Sequence, residues 1–267
     1  MLSARPYQPT LFVKITIALH LLALIFTVMM PKLWPWTLAA IIINHLIMVG
    51  IGLWPRSQWL GTNWTRLPNS AVARNEVALT IDDGPDLEVT PKVLKILNHY
   101  NVKATFFCIG KNASQHPDLC REIINQGHAI ENHSQHHHHY FSLLGIQGIR
   151  HEIESAQHTL TSITKQSPLF FRAPAGLRNP FLEPVLAQLG LTLASWTVRG
   201  FDTKVTDANH VKKKLLSKLH AGAILLMHDG NAAHTKQGTP IILEVLPDIL
   251  ESAKSLNLHF VTLRQTL

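Results

Sequence analysis

Two adjacent carboxylates, Asp82 and Asp83, end a short apolar run in the segment 78–85, which reads ALTIDDGP. Apolar residues alternate with smaller or polar ones before them, which predicts a strand, and the Gly-Pro pair after them ends it. Two neighbouring carboxylates repel each other unless a cation lies beside them. A metal ion is the simplest such cation, with one Asp as a ligand and the other free as a base. An Asp-Gly turn with solvated carboxylates is the alternative.

Residues of complementary chemistry accompany four other strand-like runs. His133 follows the third run, Arg172 ends the fourth, Asp202 follows the fifth and His228 ends the sixth. In parallel β/α barrels the carboxyl ends of the strands meet at one rim, and that rim holds the active site. The sequence therefore predicts one site, assembled from acids, bases and a guanidinium at five strand ends.

A run of histidines supplies candidate metal ligands. His133 and His137 stand four apart, so one helical turn would place both imidazoles on the same side. With Asp83 they would offer two nitrogens and one oxygen and leave a position open for water, which is the layout of catalytic zinc. The residues of the run 136–139 are equally nitrogenous, so spacing alone does not choose between His136 and His137. A solvated histidine loop is the alternative.

The elements that must position these residues begin at Glu76, where the composition becomes that of a soluble α/β domain. Helical patterns begin at Pro91 and Pro117 and span 142–165, 181–189, 207–220 and 239–256. Seven strand-like runs alternate with them, at 77–82, 103–109, 128–132, 169–173, 192–198, 223–228 and 258–263. This alternation implies parallel strands with helices outside. We predict a distorted (β/α)7 barrel, one unit short of eight, or an open sheet curled nearly shut.

Two strongly apolar runs precede this domain, at about 11–30 and 36–54, and Lys14 is the one charged residue inside them. Each is about long enough to cross a hydrocarbon core. Five of the six tryptophans lie within 34–64, where an interfacial aromatic belt belongs. The pair is predicted to be a transmembrane hairpin. The alternatives are a signal peptide for the first run and a buried helical hairpin of a soluble protein.

The predicted division of the chain is a two-helix membrane hairpin at 1–56, an interfacial linker at 57–75 and a catalytic domain at 76–267. Basic residues are more numerous beside the two ends of the hairpin than in its turn. An excess of Lys and Arg favours the cytoplasmic side. We therefore expect a two-pass protein of the cell inner membrane with its catalytic domain on the cytoplasmic face.

The charge balance allows an anionic partner. The chain has a formal net charge of +7, so a membrane surface, a phosphate-bearing substrate or nucleic acid could attract it. No Lys/Arg run interleaved with aromatic residues is present, and nucleic acid is therefore not expected. The two cysteines, Cys108 and Cys120, are too few for a disulfide framework and fit a reducing compartment.

Four motifs, taken in order, resemble those of the NodB-type polysaccharide deacetylases, carbohydrate esterase family 4, over roughly residues 75–265. The family's Thr-Phe-Asp-Asp-Gly corresponds to TIDDG at 80–84, and its His-Thr/Ser-x-x-His to HSQHH at 133–137. Its Arg-x-Pro-x-Gly corresponds to RAPAG at 172–176 and its Leu-x-His to LMH at 226–228. The resemblance selects His137 as the second histidine ligand. The metal ligands that it implies are Asp83, His133 and His137.

The same resemblance implies roles for the remaining strand-end residues. Asp82 would be the general base, and Arg172 would orient it. His228 would be the general acid, supported by Asp202. The backbone N–H of Ala175 would stabilise the oxyanion of the tetrahedral intermediate.

Two positions depart from the commonest family pattern. Ala175 stands where many members have Tyr, so a ring that lines the substrate is missing. Thr203 stands where a Trp is usual, so the acyl pocket is expected to be more open or more polar. Both changes bear on which substrate is bound more than on which reaction is catalysed.

The function that these residues favour is metal-dependent hydrolysis of an N-acyl amide, acetyl or formyl, on a sugar. The metal is expected to be zinc, with cobalt, nickel or manganese as alternatives. By analogy with members of the resembling family that deformylate or deacetylate polyprenyl-phosphate sugars, a membrane anchor with a cytoplasmic catalytic face favours a lipid-linked sugar as the substrate and membrane lipid as a partner. The alternatives are a deacetylase of a cell-wall polymer, chitin-like or peptidoglycan, and a non-catalytic membrane protein whose histidine run captures metal.

Overall fold

The computed structural model describes residues 4–267, so the first three residues of the predicted segment 1–56 lie outside the described part of the chain. Two long apolar helices come first, α1 (Leu11–Met29) and α2 (Trp34–Gly52), joined by a 3-10 turn at Pro31–Leu33. The hydroxyl of Thr10 accepts the backbone N–H of Val13 and so caps the start of α1. These bounds agree with the two predicted apolar runs.

Each of these helices could span a membrane by its length and composition. Only 11% of the apolar window of the first and 17% of that of the second is buried, whereas a core helix of a soluble protein is mostly covered. A signal sequence near the N-terminus would also satisfy the criteria of length and composition. The Thr16 hydroxyl donates to Asn44 Oδ1 across the pair at 3.2 Å, and this buried hydrogen bond holds the two helices together.

Eight parallel strands form the sheet of the domain that follows. They are β1 (Glu76–Asp82), β2 (Thr105–Cys108), β3 (Ala129–Asn132), β4 (Phe170–Phe171), β5 (Thr192–Leu193), β6 (Val198–Arg199), β7 (Ile224–His228) and β8 (His259–Phe260). The order across the sheet is β5-β4-β3-β2-β1-β7-β6, and β8 pairs with the start of β1. Within residues 4–267 no strand pairing joins β5 to β6, so the predicted distorted barrel is confirmed in an incompletely closed form.

Eight helices accompany these strands. They are α3 (Asn69–Ala73), α4 (Thr90–His99), α5 (Gly110–Gln115), α6 (Pro117–Asn125), α7 (Ile146–Thr164), α8 (Leu182–Leu189), α9 (Ala208–Leu216) and α10 (Ile241–Ser255). Local signals set several of their ends: Asp207 accepts two backbone N–H groups at the start of α9, and Gly190 ends α8 in the left-handed conformation. The predicted helices are confirmed, with ends that shift by a few residues.

The predicted seven-residue strand at 192–198 is wrong as a single strand, because the chain forms two short strands there, β5 and β6. Arg172 donates from Nε to the carbonyl of Ala194 and from Nη2 to the carbonyl of Ser195. These carbonyls are turned toward a buried guanidinium, so the segment bends between the two strands.

The two faces of β1 pack into different apolar clusters. Val77, Leu79 and Ile81 are fully buried and contact the helices outside the sheet, among them α4 and α10. Ala78 points to the opposite side and packs with residues such as Phe107. Burial of one such aliphatic side chain contributes about 1.5–3 kcal/mol, so the strand that ends at Asp82 is held firmly on both faces.

The apolar helices contact the β/α domain close to their ends. The carbonyl of Gly52, the last residue of α2, accepts the backbone N–H of Arg178 at 3.2 Å, and the Pro55 carbonyl accepts the hydroxyl of Ser195 at 2.9 Å. Before α1, the Arg5 guanidinium donates to Glu183 at 2.8 Å. Both ends of the helix pair therefore lie against the same face of the domain.

Candidate active site

The carboxyl ends of the central strands bring the predicted site residues to one edge of the sheet. In the β1–β7 register Asp82 lies opposite His228. Strand β3 ends one residue before His133, and β4 ends one residue before Arg172. A cleft of about 660 Å³ opens at this edge; its lining includes Asp82, Asp83, His133, His137, Ala175 and His228.

Asp82 and Arg172 form a buried ion pair below the cleft. Nη1 of Arg172 donates to Asp82 Oδ1 at 2.7 Å and also to the Thr80 hydroxyl at 2.8 Å. The guanidinium carbon lies 4.1 Å from the ring centroid of Phe107. Together with the two carbonyls that Arg172 also binds, these contacts fix the guanidinium, which in turn fixes one oxygen of Asp82 and leaves Oδ2 without a donor from Arg172.

His228 is held by Asp202 through two hydrogen bonds. The backbone N–H of His228 donates to Asp202 Oδ2 at 2.8 Å, and its Nδ1 lies 2.9 Å from Asp202 Oδ1. Burial alone would lower the pKa of His228, but the ion pair with Asp202 and the charges of Asp82 and Asp83 outweigh it and raise the pKa to about 9. His228 is therefore cationic at neutral pH, with Nδ1 on Asp202 and Nε2 left for a partner in the cleft.

Asp83, His133 and His137 bring three potential ligand atoms within 4.8 Å of one another. Asp83 Oδ1 lies 3.2 Å from His133 Nε2 and 3.3 Å from His137 Nε2. This oxygen is buried and has no hydrogen-bond partner among residues 4–267. A buried carboxylate oxygen without a hydrogen-bond partner, beside two imidazole nitrogens, fits a divalent cation. The cation would bind the oxygen and accept a lone pair from each nitrogen.

The electrostatics of this group also favour a cation. Burial lowers the pKa of His137 to about 4, with the charge of His133 adding to the effect, so the ring is neutral at pH 7 and can offer a lone pair. Despite its burial, His133 has a raised pKa, because Asp82 and Asp83 attract positive charge to its position. Nδ1 of His133 lies 2.8 Å from the carbonyl oxygen of Arg172, which can only accept, so Nδ1 carries a proton. Nε2 faces Asp83 and is the nitrogen that would bind a cation.

The structure separates His137 from His136, which spacing alone did not. Nε2 of His137 lies beside Asp83, whereas Nδ1 of His136 lies 2.7 Å from Glu152 Oε1, away from Asp83. The predicted helical turn between His133 and His137 is wrong. Ser134 and His137 have φ of 64° and 53°, and the Ser134 hydroxyl accepts the His137 N–H at 3.0 Å, so a tight bend places the two rings together.

Ala175 lies in the left-handed region with φ of 54°, inside a short 3-10 turn at Pro174–Gly176. Its backbone N–H donates to no carbonyl or side chain in the described part of the chain. A non-glycine residue in this region stores strain of about 1–3 kcal/mol, which is typical of functional loops. Ala175 and Thr203 both line the cleft, at the two positions where larger side chains are usual in the resembling family.

Several lining residues were not predicted from the sequence. Asn112 donates to the Asp83 carbonyl at 2.9 Å, and Asn231 approaches Asp83 Oδ2 at 3.4 Å. Arg199 and Trp196 also line the cleft. Arg199 ends β6 and Asn231 follows β7 by three residues, so the same strand-end rule would have found both if it had been applied beyond acids and histidines.

Comparison with known proteins agrees with this geometry. A family model described as polysaccharide deacetylase matches residues 69–194. A peptidoglycan-N-acetylglucosamine deacetylase of Bacillus cereus is 31% identical over 215 residues, which cover 78% of this chain and 75% of that protein. A chitooligosaccharide deacetylase of Azorhizobium caulinodans is 34% identical over 59% of this chain and 75% of its own length. Matches to Listeria monocytogenes relatives, at 36% identity, cover 33% of those proteins.

A solved structure supports the same relationship. It is a peptidoglycan N-acetylglucosamine deacetylase in complex with 4-naphthalen-1-yl-N-oxidanyl-benzamide, with 31% sequence identity and a TM-score of 0.68. The alignment covers 77% of this chain and 92% of that structure. The chain therefore belongs to the polysaccharide deacetylase family.

Proposed function

We propose that the protein hydrolyses an N-acyl amide, acetyl or formyl, on a sugar, with Asp82 as the base, His228 as the acid and a divalent metal at Asp83, His133 and His137. The observation that carries this proposal is the convergence of an orphaned carboxylate oxygen, two imidazole nitrogens and a separate acid–base pair in one cleft. Family membership agrees with it, since two relatives of which this chain covers 75% are named as deacetylases, one of peptidoglycan N-acetylglucosamine and one of chitooligosaccharides.

Asp82 is placed to accept a proton from the attacking water. Arg172 occupies Oδ1, and Oδ2 lies 3.7 Å from His133 Nε2, toward the candidate metal group. A carboxylate held by one oxygen keeps its orientation and uses the other oxygen for proton transfer. A divalent cation at Asp83, His133 and His137 would polarise the acyl carbonyl and make nearby water more acidic, and zinc suits two nitrogens and one oxygen.

His228 is placed to protonate the leaving amine. An amine departs poorly until it is protonated, so the reaction needs a general acid. The raised pKa of His228 keeps its proton available at neutral pH, and Asp202 fixes Nδ1 so that Nε2 carries the donated proton. The free N–H of Ala175 is the candidate donor to the developing oxyanion.

The proposed substrate is a lipid-linked N-acyl sugar, because the cleft lies next to the end of the apolar helix pair. Gly176 and Trp196 line the cleft. A Cβ on Gly176 would lie 2.5 Å from Trp196 Cη2 and 2.7 Å from Pro55 Cβ, so the segment just after α2 packs against the wall of the cleft. A sugar attached to a membrane lipid could reach the catalytic residues there.

We propose that the chain is divided into a membrane hairpin at 1–56, a linker at 57–75 and a catalytic domain at 76–267, with a defined orientation in the membrane. The contact of Arg5 with Glu183 supports one side of the membrane for the N-terminal segment and the domain. The basic residues beside the helix pair favour the cytoplasmic face of the inner membrane. A C-terminal fluorescent protein should then be bright and a C-terminal alkaline phosphatase inactive. An active phosphatase fusion would contradict the orientation.

A second candidate substrate is a cell-wall polymer. The similarity to the Bacillus cereus peptidoglycan-N-acetylglucosamine deacetylase favours it. Purified full-length protein, offered N-acetylglucosamine on a polyprenyl phosphate and chitin oligomers, should release acetate from the lipid-linked sugar at the higher kcat/KM. Treatment with a chelator should stop release and zinc should restore it. Release that survives complete metal removal would contradict the proposed function, and a preference for the oligomers would favour the polymer.

A further inference from the structure

Three basic side chains line the cleft without a role in the proposed catalysis. They are Lys111 in α5, Arg199 at the end of β6 and Lys204 in the loop that follows. They share the cleft with Asp82 and His228, although they come from different segments of the chain. We call these three residues the cationic rim.

The cationic rim is not neutralised by the protein. Other basic residues of the fold have a carboxylate partner, such as Arg172 with Asp82 and Lys212 with Asp248, both at 2.7 Å. Within residues 4–267 none of the three rim residues has a carboxylate oxygen within 4.0 Å. These three positive charges of the cleft therefore have no carboxylate partner in the described part of the protein.

Arg199 is the most strongly positioned of the three. Its guanidinium carbon lies 5.3 Å from the ring centroid of Trp196 and 4.7 Å from that of Phe201. Its Nε is buried and has no hydrogen-bond partner in the described chain. A guanidinium that is stacked and in part unsatisfied is pre-organised for an anionic ligand, since planar donors match phosphate oxygens.

A neutral N-acyl sugar gives these charges nothing to pair with. Leaving cations in a cleft without a counter-charge is unfavourable once a substrate excludes water from them. An anion that binds beside the sugar removes this cost, and a phosphate offers several oxygens, so it can pair with more than one cation.

We propose that Arg199 and Lys204 form the centre of a subsite for a phosphate group that the substrate carries beside its N-acylated sugar, with Lys111 as a further cation of the same cleft. This inference rests on the proposed function and specifies its substrate as a phosphorylated N-acyl sugar. The phosphate can belong to a soluble sugar phosphate or link the sugar to a lipid.

The test is a binding measurement that does not need turnover. Full-length, zinc-loaded Asp82→Asn protein in detergent is titrated with N-acetylglucosamine 1-phosphate and with methyl N-acetylglucosaminide by calorimetry. At low salt, N-acetylglucosamine 1-phosphate should bind at least about tenfold more tightly than methyl N-acetylglucosaminide, as expected for charge-assisted hydrogen bonds. The difference in affinity should shrink at high salt. Equal affinity for the two sugars would overturn the proposal.

Comparison of variants in the same background separates the rim from the metal, because phosphate can also bind a cation directly. Arg199→Gln should reduce the preference for the phosphate by about tenfold and Lys204→Gln by about threefold. Lys212→Gln removes the same charge from a residue paired outside the cleft and should keep the full preference. Lys204 is exposed, so its substitution does not threaten the fold. A preference that is unaffected by both rim variants would contradict the subsite.

The outcome is independent of whether the proposed reaction occurs. Metal-dependent acetate release from methyl N-acetylglucosaminide without any phosphate preference would leave the proposed function standing and remove the subsite. A preference for the sugar phosphate without any hydrolysis would support the subsite and contradict the proposed function. A third titration, with N-acetylglucosamine joined through phosphate to a short polyprenol, assigns the source. Tighter binding than the soluble phosphate points to a lipid-linked substrate, and equal binding to a free sugar phosphate; both support the rim.

Discussion

His133 and His137 turn inward to Asp83, whereas His136 and His138, which lie between and beside them in the chain, turn outward to Glu152. Both groups offer three donor atoms within 4.8 Å of one another. They differ in how well those atoms are already satisfied.

In the outward group, Glu152 Oε2 accepts the backbone N–H of His136 at 3.0 Å and Oε1 lies 2.7 Å from the ring Nδ1 of the same residue. The Glu152 oxygens therefore have partners within the protein. In the inward group, Asp83 Oδ1 has none. An unsatisfied buried ligand atom, and not the number of histidines, therefore distinguishes the candidate metal site.

The largest expected effect contrasts a histidine of the cleft with an outward one. His228→Ala should lower kcat by about 10²–10⁴-fold, as expected for a lost general acid, while His138→Ala should stay within about twofold. In the parent protein kcat/KM should fall on the alkaline side as His228 loses its proton, at or below pH 9 because a bound cation would lower its pKa. Steady-state kinetics against pH checks this. Wild-type turnover in His228→Ala would place the acid elsewhere.

The second effect concerns metal affinity. The protein should bind one zinc ion tightly. Loss of a residue that only supports a metal ligand typically weakens metal affinity by about 10–100-fold, and His137→Ala, which removes a ligand, should weaken it by more than that. His136→Ala and His138→Ala are the matched controls and should retain the metal. Metal content after dialysis against a chelator provides the measurement. Two tightly bound ions per chain, or equal loss from all three variants, would erase the distinction between the groups.

A smaller effect concerns the stability of the metal-free protein. The pKa of His228 is raised in the folded state, so its ion pair with Asp202 stabilises the fold fully below pH 6.5 and is lost as pH rises toward 9. The loss should amount to about 3 kcal/mol at most, since one unit of pKa corresponds to about 1.4 kcal/mol. Thermal unfolding at pH 6 and pH 9.5 should show a larger decrease for the parent than for His228→Ala. Identical decreases would argue against the pair.

The smallest effect belongs to the outward group. Glu152→Gln should lower the free energy of unfolding by about 1–2 kcal/mol, because a buried carboxylate loses its charge-assisted contacts with His136. Metal affinity at Asp83 should not change. A lower Tm with retained zinc is the expected result. Loss of zinc from Glu152→Gln would mean that the outward cluster contributes to metal binding.

Hydrophobic periodicity and the positions of strand ends predicted the main features of the fold and of the candidate site. The alternation of strand-like and helical runs predicts the parallel α/β architecture, and the length of the apolar runs predicts the two apolar helices. The rule that active sites lie at the carboxyl ends of barrel strands predicts that Asp82, Arg172 and His228 meet at one edge. The break between β5 and β6 did not follow, because it depends on which carbonyls a distant Arg172 binds. Contacts between residues far apart in sequence leave no local pattern.

The choice between His136 and His137 lay beyond periodicity for a related reason. The bend that turns His137 inward depends on positive φ at Ser134 and His137, which is uncommon for residues other than glycine and cannot be read from the composition. The motif resemblance selected His137, and the placement of its ring beside Asp83 agrees. Arg199 and Lys204 were missed because an isolated basic residue is most often a solvated surface group.

The proposed role of Asp82 as the base of a metal-dependent amide hydrolysis can be tested with the Asp82→Asn variant. Asp82→Asn keeps the shape of the side chain and leaves Asp83, His133 and His137 unchanged. Zinc content and acetate release should be measured on the same preparation, with the Lys212→Gln protein as the control. We expect full zinc occupancy with at least about a hundredfold loss of kcat, as is typical for a missing general base. Full zinc occupancy with parental turnover would contradict it.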